Sequence, residues 1–270
     1  MLRWVVWMGT WLICAFNESG YAQKLMSTQS WSLGGAGQTM TGAGSVFGNP
    51  ALLGRVEGLR FESILHSSLR LPELSSQAIA MTKSLYGGGV GVGLERTGIP
   101  ATYTHLHAHL GFARRFGPLW SVGMRYSLEH AWVKNYPGLL QQGLTIGGML
   151  IPTKDLLVGF SVGPLVFQSN EFSQSPLESS YWKLGLDYRL SKQVASAMYL
   201  RKQLHQILEW GAGLEVGIGG KFTWRMGFNN KPIRQYMGIG IRTSRWGFDW
   251  GVGNYPNLGL VSQWGLHYHF

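Results

Sequence analysis

Segments in which large apolar residues alternate with small or polar ones constrain the fold of this chain most. In KFTWRMGF, residues 221–228, phenylalanine, tryptophan and methionine occupy every second position, with threonine, arginine and glycine between them. The stretches YWKLGLDYRL, residues 181–190, and RWGFDWGVG, residues 245–253, repeat this pattern. Successive side chains of a β-strand point to opposite faces. Each segment therefore predicts a strand with one large apolar face and one face of glycine and charge.

About fourteen such segments follow one another from residue 55 onward, and an even count of this size is typical of outer-membrane barrels. Their connections alternate between short turns, such as FGPL and LSKQ, and longer loops, such as RTGIPATYTH, which is also typical of these barrels. The predicted strands start near Val56, Ser76, Gly88, Leu106, Leu119, Leu140, Asp155, Ser180, Gln193, Leu208, Lys221, Arg234, Arg245 and Leu258. The sequence thus predicts an all-β fold, a closed antiparallel transmembrane β-barrel of about 14 strands.

The chemistry of the two strand faces favours lipid outside and a polar lumen inside. Lipid cannot hydrogen-bond a free sheet edge, so a sheet in a membrane has to close. The last predicted strand, LGLVSQWGLHYHF, alternates in the same way and ends on Phe270. It resembles the C-terminal insertion signal of outer-membrane barrels, so we expect the chain in the outer membrane of a Gram-negative cell.

The N-terminus predicts an export signal, residues 1–22. Arg3 precedes the apolar stretch WVVWMGTWLICAF, residues 4–16, and Gly20 and Ala22 supply the small residues that signal peptidase requires. The apolar stretch is shorter than the roughly 20 residues of a membrane-spanning helix. The single cysteine, Cys14, lies inside this signal. We therefore expect no disulfide and no thiolate metal site after cleavage.

The charge balance indicates which partners suit the chain. Only 13% of residues are charged, whereas soluble domains carry about a quarter. The formal net charge is +10, and it is unchanged by cleavage because Arg3 and Glu18 cancel. A basic exported chain favours anionic lipid headgroups, lipopolysaccharide included, over nucleic acid. We expect no cofactor.

A glycine-rich stretch, SLGGAGQTMTGAGSVFGNPALL, residues 32–53, precedes the first predicted strand. It has no Gly-Lys-Ser/Thr and no flanking strand and helix, which argues against a phosphate loop. A flexible linker is the stronger alternative, but apolar residues such as Val46 and Leu52 favour a packed segment. GGAG followed by SVFGNPALL resembles the N-terminal segment of the FadL-type superfamily of outer-membrane barrels. That superfamily includes long-chain fatty-acid transporters and the PorV and PorQ proteins of type IX secretion.

The resemblance implies three parts: the signal at 1–22, a plug at 23–54 folded inside the lumen, and the barrel at 55–270. The residues of the implied plug that carry the resemblance are Gly34, Gly35, Gly37, Phe47, Asn49, Pro50 and Ala51. Small residues would let the plug backbone approach a glycine-rich wall closely.

Strand parity predicts charged side chains of both signs in the lumen. They are Arg60, Glu62, Glu95, Arg125, Glu129, Lys183, Asp187, Arg189, Glu209, Glu215, Arg225 and Asp249. One interpretation is a permeation path, and the other is a set of ion pairs that hold wall and plug together. Unpaired buried charges are costly, so the sequence favours ion pairs.

The stretch HLHAH puts His105, His107 and His109 on one face of a strand, predicted to be the lumen face. Alternate histidines on a strand can chelate zinc or copper. No carboxylate or cysteine lies nearby in the sequence, so neutral imidazoles in a polar lumen are the favoured interpretation, and a metal site is the weaker one.

Two functions remain open. Short outer loops and the NPALL motif favour an accessory of protein secretion or surface attachment, type IX-like, with a closed lumen and with secretion proteins as partners. The behaviour of the fatty-acid transporters favours the alternative, a transporter or channel for small hydrophobic molecules. A continuous apolar pocket beside the plug would support transport, and a lumen filled with ion pairs would support the accessory role. No serine has a recognisable nucleophile setting, so an enzyme is not expected.

Overall fold

The computed structural model describes residues 25–68, 75–99, 102–169, 180–204, 206–256 and 259–270. The predicted export signal lies outside these ranges, so its cleavage stays a prediction. None of the helices in the described ranges has the length and hydropathy needed to span a membrane. The strands are β1 Leu59–Ser68, β2 Ser76–Leu85, β3 Gly88–Ile99, β4 Tyr103–Phe116, β5 Trp120–Val133, β6 Leu139–Leu150, β7 Leu156–Ser169, β8 Tyr181–Arg189, β9 Val194–Gln203, β10 Glu209–Ile218, β11 Phe222–Asn230, β12 Ile233–Arg242, β13 Trp246–Tyr255 and β14 Gly259–His269.

These strands form one closed antiparallel barrel in sequence order. Each strand pairs with the strands before and after it, and β1 pairs with β14 to close the sheet, with Arg60 opposite His269. The predicted starts lie within three residues of the observed ones. The predicted all-β barrel fold is therefore confirmed, because the alternation that marks each strand also sets which residues face outward.

The outward face of the barrel is apolar and the inward face is small or polar. In β5, Trp120, Val122 and Met124 are exposed, whereas the side chains of Ser121 and Arg125 are buried. An apolar band that surrounds a barrel matches lipid rather than water.

Residues 25–55, called here the N-terminal segment, lie inside the barrel. The segment contains one short helix, α1 Thr28–Ser32, and two 3₁₀ helices, Ala43–Val46 and Pro50–Arg55. Helix α1 contacts β11–β14, and the 3₁₀ helices contact β1–β6. The second 3₁₀ helix continues to Arg55 and Gly58 adopts a left-handed φ of 67°, so β1 begins at Leu59 rather than near Val56 as predicted.

The apolar core of the described chain is the interface between this segment and the wall. Four clusters of buried side chains each combine both parts. They join Leu25, Ala43, Val46 and Phe47 to Ile64, Ala78 and Ala80; Trp31 to Tyr236, Tyr255 and Val261; Leu33 and Ala36 to Ala197 and Tyr199; and Ala51 and Leu52 to Met149.

Glycines on the inner wall allow the segment to approach this closely. A Cβ atom added at Gly123 would lie 2.5 Å from the Pro50 carbonyl oxygen, and one at Gly213 would lie 2.7 Å from Leu33 Cβ. Added Cβ atoms would also crowd the segment at Gly91, Gly93, Gly111, Gly147, Gly159, Gly185, Gly227, Gly238, Gly251, Gly253 and Gly265. The glycine face of the strands is thus the contact surface for the segment.

Two adjacent glycines of β6 provide a matched test of this contact. A Cβ at Gly147 would overlap the Asn49 side-chain oxygen, whereas one at Gly148 would meet nothing within 4 Å. We expect Gly147→Ala to lower the stability of the folded barrel by roughly 1–3 kcal/mol, the usual cost of overpacking. Gly148→Ala should leave it nearly unchanged. The temperature at which folded protein loses its distinct electrophoretic mobility measures both, and equal shifts would contradict the contact.

Candidate functional site

Asn49 links two parts of the segment to each other and to the wall. Its buried side chain donates hydrogen bonds to the carbonyl oxygens of Gln38 and Gly148, both at 3.0 Å, and accepts one from Ala51 N at 3.1 Å. Asn49 thereby caps the second 3₁₀ helix, where Pro50 occupies the first turn, and ties two parts of the segment to β6.

The other residues of the predicted plug also lie at the interface with the wall or within the segment. Gly34 and Gly35 follow α1 with φ values of 73° and 97°, which glycine adopts without strain. The carbonyl of Gly35 accepts a 2.7 Å hydrogen bond from Lys183 Nζ on β8. Gly37 packs against Ser30 inside the segment, and Phe47 is buried beside Gly93. Whether the segment obstructs passage stays a prediction.

Arg125 on β5 binds the segment through its backbone. Its guanidinium is 1% exposed and donates to the carbonyl oxygens of Val46 and Gly48, both at 2.9 Å, and to Thr145 Oγ1 at 3.3 Å. The prediction that lumen charges form ion pairs misses this arrangement. The carbonyls at the end of the first 3₁₀ helix lack partners within the helix, so they accept from a cation.

The largest group of lumen charges, called here the ion network, consists of Glu62, Glu215, Arg225, Arg242, Asp249 and His267. Its centre is Arg225, whose Nε and Nη1 atoms lie 2.6 Å from Glu215 and 2.6 Å from Asp249, respectively. Arg225 and Asp249 are almost fully buried. In this part the charges form ion pairs, which offset the desolvation of both side chains.

The ion network also reaches the N-terminal segment. Asp249 Oδ2 contacts Arg242 at 3.1 Å and His267 at 2.5 Å, and His267 Nδ1 lies 3.6 Å from Glu62. Glu62 accepts a 2.6 Å hydrogen bond from Gly44 N. Glu215 accepts one at 3.2 Å from Gln29. Charges from the wall therefore hold both α1 and the first 3₁₀ helix.

The remaining predicted lumen residues are more dispersed. Glu209 accepts from Tyr199 at 2.6 Å and lies 3.6 Å from Arg201. Arg60 and Asp187 are partly buried. Arg189 is exposed rather than held in the lumen, because it is the last residue of β8 and lies at the short-turn end.

The three histidines of HLHAH face the lumen as predicted. Carboxylates are absent near them in the sequence, but two lie close to them in the folded barrel. Strand pairing places Glu95 of β3 and Glu129 of β5 directly opposite His107. His105 Nε2 lies 2.6 Å from Glu129. A comparison of sequence neighbours misses such pairs, whereas the register of adjacent strands would have found them.

Two cavities lie on opposite sides of the N-terminal segment. The larger, about 320 Å³, lies at the short-turn end beside the ion network and is bordered by the turn at residues 243–245. The smaller, about 70 Å³, lies towards the long-loop end and is lined by Phe47, Tyr181 and Lys183. Ser27, Met40, Gly44 and Ser45 line both cavities, so only a thin layer of the segment separates them.

Neither a protein-family model nor a curated protein sequence matches this chain. Solved structures do match it. The toluene transporter TodX of Pseudomonas putida aligns with a TM-score of 0.67 at 11% identity, covering 93% of this chain and 98% of TodX. A FadL homologue of Pseudomonas aeruginosa aligns with a TM-score of 0.63 at 9% identity, covering 93% of this chain and 100% of the homologue.

A third match is the outer membrane protein Omp33 of Acinetobacter baumannii, with a TM-score of 0.53 at 6% identity over 79% of this chain and 98% of Omp33. The chain therefore has the fold of FadL-type outer-membrane barrels, as the N-terminal resemblance predicts. At such low identities the likeness describes the fold and leaves the substrate open.

The double variant Asn49→Ala, Pro50→Ala tests whether the segment limits passage. Loss of the Asn49 amide leaves two buried carbonyls without this donor, at a cost of about 1–3 kcal/mol. We expect a looser segment and several-fold faster antibiotic leakage into cells that carry the variant. Asn254→Ala, at an exposed position of β13, should behave like the unaltered protein. Unchanged leakage, with equal amounts of barrel in the membrane, would contradict the prediction.

Proposed function

We propose that this protein is an outer-membrane channel for small hydrophobic molecules, with the N-terminal segment as its gate. The observation that carries the proposal is the shared fold with TodX and the FadL homologue, which extends over 93% of the chain. TodX transports toluene, as its name states. This favours the function of a channel for small hydrophobic molecules over that of a secretion accessory.

The two cavities support a route through the segment. They adjoin at the layer formed by Ser27, Met40, Gly44 and Ser45, so displacing this layer would join the long-loop end to the short-turn end. Met40 is the only long, flexible side chain in that layer, and a methionine adapts its shape readily. Its sulfur accepts a weak hydrogen bond, at 3.6 Å, from Ser30 Oγ. Its side chain also packs against the cluster of Leu33, Ala36, Ala197 and Tyr199.

The backbone next to Met40 is loosely packed. Thr41 is exposed, and a Cβ atom added at Gly42 would contact nothing within 4 Å. The flanking parts are held by Arg125, Glu62 and Asn49. We therefore assign the gate to residues 40–42.

A specific observation supports the second candidate, the accessory of secretion or surface attachment. The ion network fills part of the lumen, and the larger cavity is bordered by charged and polar groups rather than by a continuous apolar surface. A filled, polar lumen of this kind suits a barrel that stays closed. In either case, exposed Lys154, Lys192 and Lys221 at the short-turn end would meet lipid phosphates.

Two substitutions of Met40 test the channel and its gate. A lipopolysaccharide leaflet slows the passage of apolar solutes. In liposomes with lipopolysaccharide in the outer leaflet, we expect toluene and oleate to enter faster when the purified barrel is present than when it is absent. Met40→Ala should increase entry several-fold because it thins the layer, and Met40→Trp should decrease entry because it thickens the layer. Met237→Ala, at an exposed lipid-facing methionine, is the matched control and should change nothing.

The accessory role gives a different pattern. Entry equal to that of liposomes without the barrel for every variant would overturn the channel. Recovery of a stoichiometric protein partner with the barrel from outer membranes would then support the accessory. Entry that is insensitive to both Met40 variants would retain the channel and refute the gate.

A further inference from the structure

We infer that Glu95, His107 and His109 form a binding site for one divalent transition-metal ion inside the barrel. Each residue offers one ligand atom, and these three atoms all lie within 4.8 Å of one another. All three side chains are buried, at 8%, 5% and 4% exposure. The site is independent of the proposed function, because metal binding requires no passage through the lumen.

The barrel itself positions the three ligands. His107 and His109 are two residues apart on β4, so both point inward, and their rings lie 4.0 Å apart between centroids. Glu95 lies directly opposite His107 on β3. The register of a closed sheet fixes these positions, so the site needs no loop to assemble.

The distances suit a small ion after slight adjustment. Zinc binds imidazole nitrogen and carboxylate oxygen at about 2.0–2.2 Å, so each donor atom would have to move by less than about 1 Å. Side-chain rotation alone covers such a shift. Two imidazoles and one carboxylate favour zinc, copper or nickel over calcium and magnesium, which prefer oxygen ligands throughout.

Charge and second contacts also suit a cation. Glu129 faces His107 from β5, so two carboxylates flank this histidine and could neutralise a divalent ion. His105 holds Glu129 at 2.6 Å, and Leu25 N donates to Glu95 Oε1 at 3.3 Å. Outer contacts of this kind orient the ligands of metal sites.

The site borders the N-terminal segment. The Phe47 ring packs edge-on against His109 at 5.6 Å between centroids, and Leu25 contacts Glu95. A bound ion would join β3 to β4 directly. It would also fix the Glu95 carboxylate, which accepts a hydrogen bond from Leu25 N at the start of the described segment. We therefore expect the ion to stabilise the folded barrel as well as to bind it.

Metal titration of the full-length barrel in detergent, expressed without a histidine tag and freed of metal with a chelator, tests the inference. We expect calorimetry to show one Zn²⁺ per chain, and Co²⁺ to give the visible absorption of a low-coordinate site. His107→Asn with His109→Asn should weaken binding by at least about 100-fold, since even changes to outer contacts cost about 10–100-fold. Glu95→Gln, which keeps the shape of the side chain, should weaken it by at least about 10-fold.

A matched control and a second measurement complete the test. His130→Asn on β5, whose side chain lies on the outward face, should bind zinc as the unaltered protein does. Zinc should raise the thermal midpoint of the unaltered barrel and of this control only, because a ligand that binds the folded state stabilises it. Heat-dependent electrophoretic mobility shows that each variant has folded. The inference is overturned if the unaltered protein binds less than one ion per chain, or if the double histidine variant, folded, binds as tightly.

Discussion

Close contact between the glycine face of the strands and the N-terminal segment is the interaction on which this structure depends. About eight strands enclose an interior that side chains alone can fill. Fourteen strands enclose more, and in the described chain each cluster of buried apolar side chains joins wall to segment. The interface between the segment and the wall is therefore the apolar core of the described chain. At inward positions such as Gly123 and Gly213, the segment occupies the space that a side chain would take, so glycine is required there.

Hydrogen bonds from polar groups of the wall complete that contact. Wall side chains supply the partners of the segment backbone: Arg125 binds two carbonyls, Lys183 binds a third, and Glu62 accepts from an amide. The segment is too short and irregular to satisfy its own backbone groups, and buried backbone groups without partners are costly. Glu62 also belongs to the ion network around Arg225 and Asp249, which joins six strands, β1 and β10–β14, to the segment.

Period-two alternation predicts most of the barrel because one strand contains all the information needed to assign its two faces. Strand number and the inward position of His107 follow from it, as do the inward positions of Arg225 and Asp249. Contacts across strands do not follow, since register is a property of two strands. Glu95 opposite His107 is therefore missed. Arg125 is missed as a ligand of carbonyls for a related reason: the end of a 3₁₀ helix within a glycine-rich stretch leaves no period to detect.

The distribution of contacts along the N-terminal segment determines which part of it can move most easily. Helix α1 is held by Gln263, which donates to the Met26 carbonyl at 2.8 Å and to Thr28 Oγ1 at 3.1 Å. The second 3₁₀ helix is held by Asn49, and the first by Arg125 and Glu62. Expelling the whole segment would break all of these contacts and expose the apolar core. Moving residues 40–42 alone would break few of them, and within this stretch Met40 lines both cavities. A local opening at this point therefore costs less than an exit of the segment, which makes a stable closed barrel compatible with passage of a small molecule.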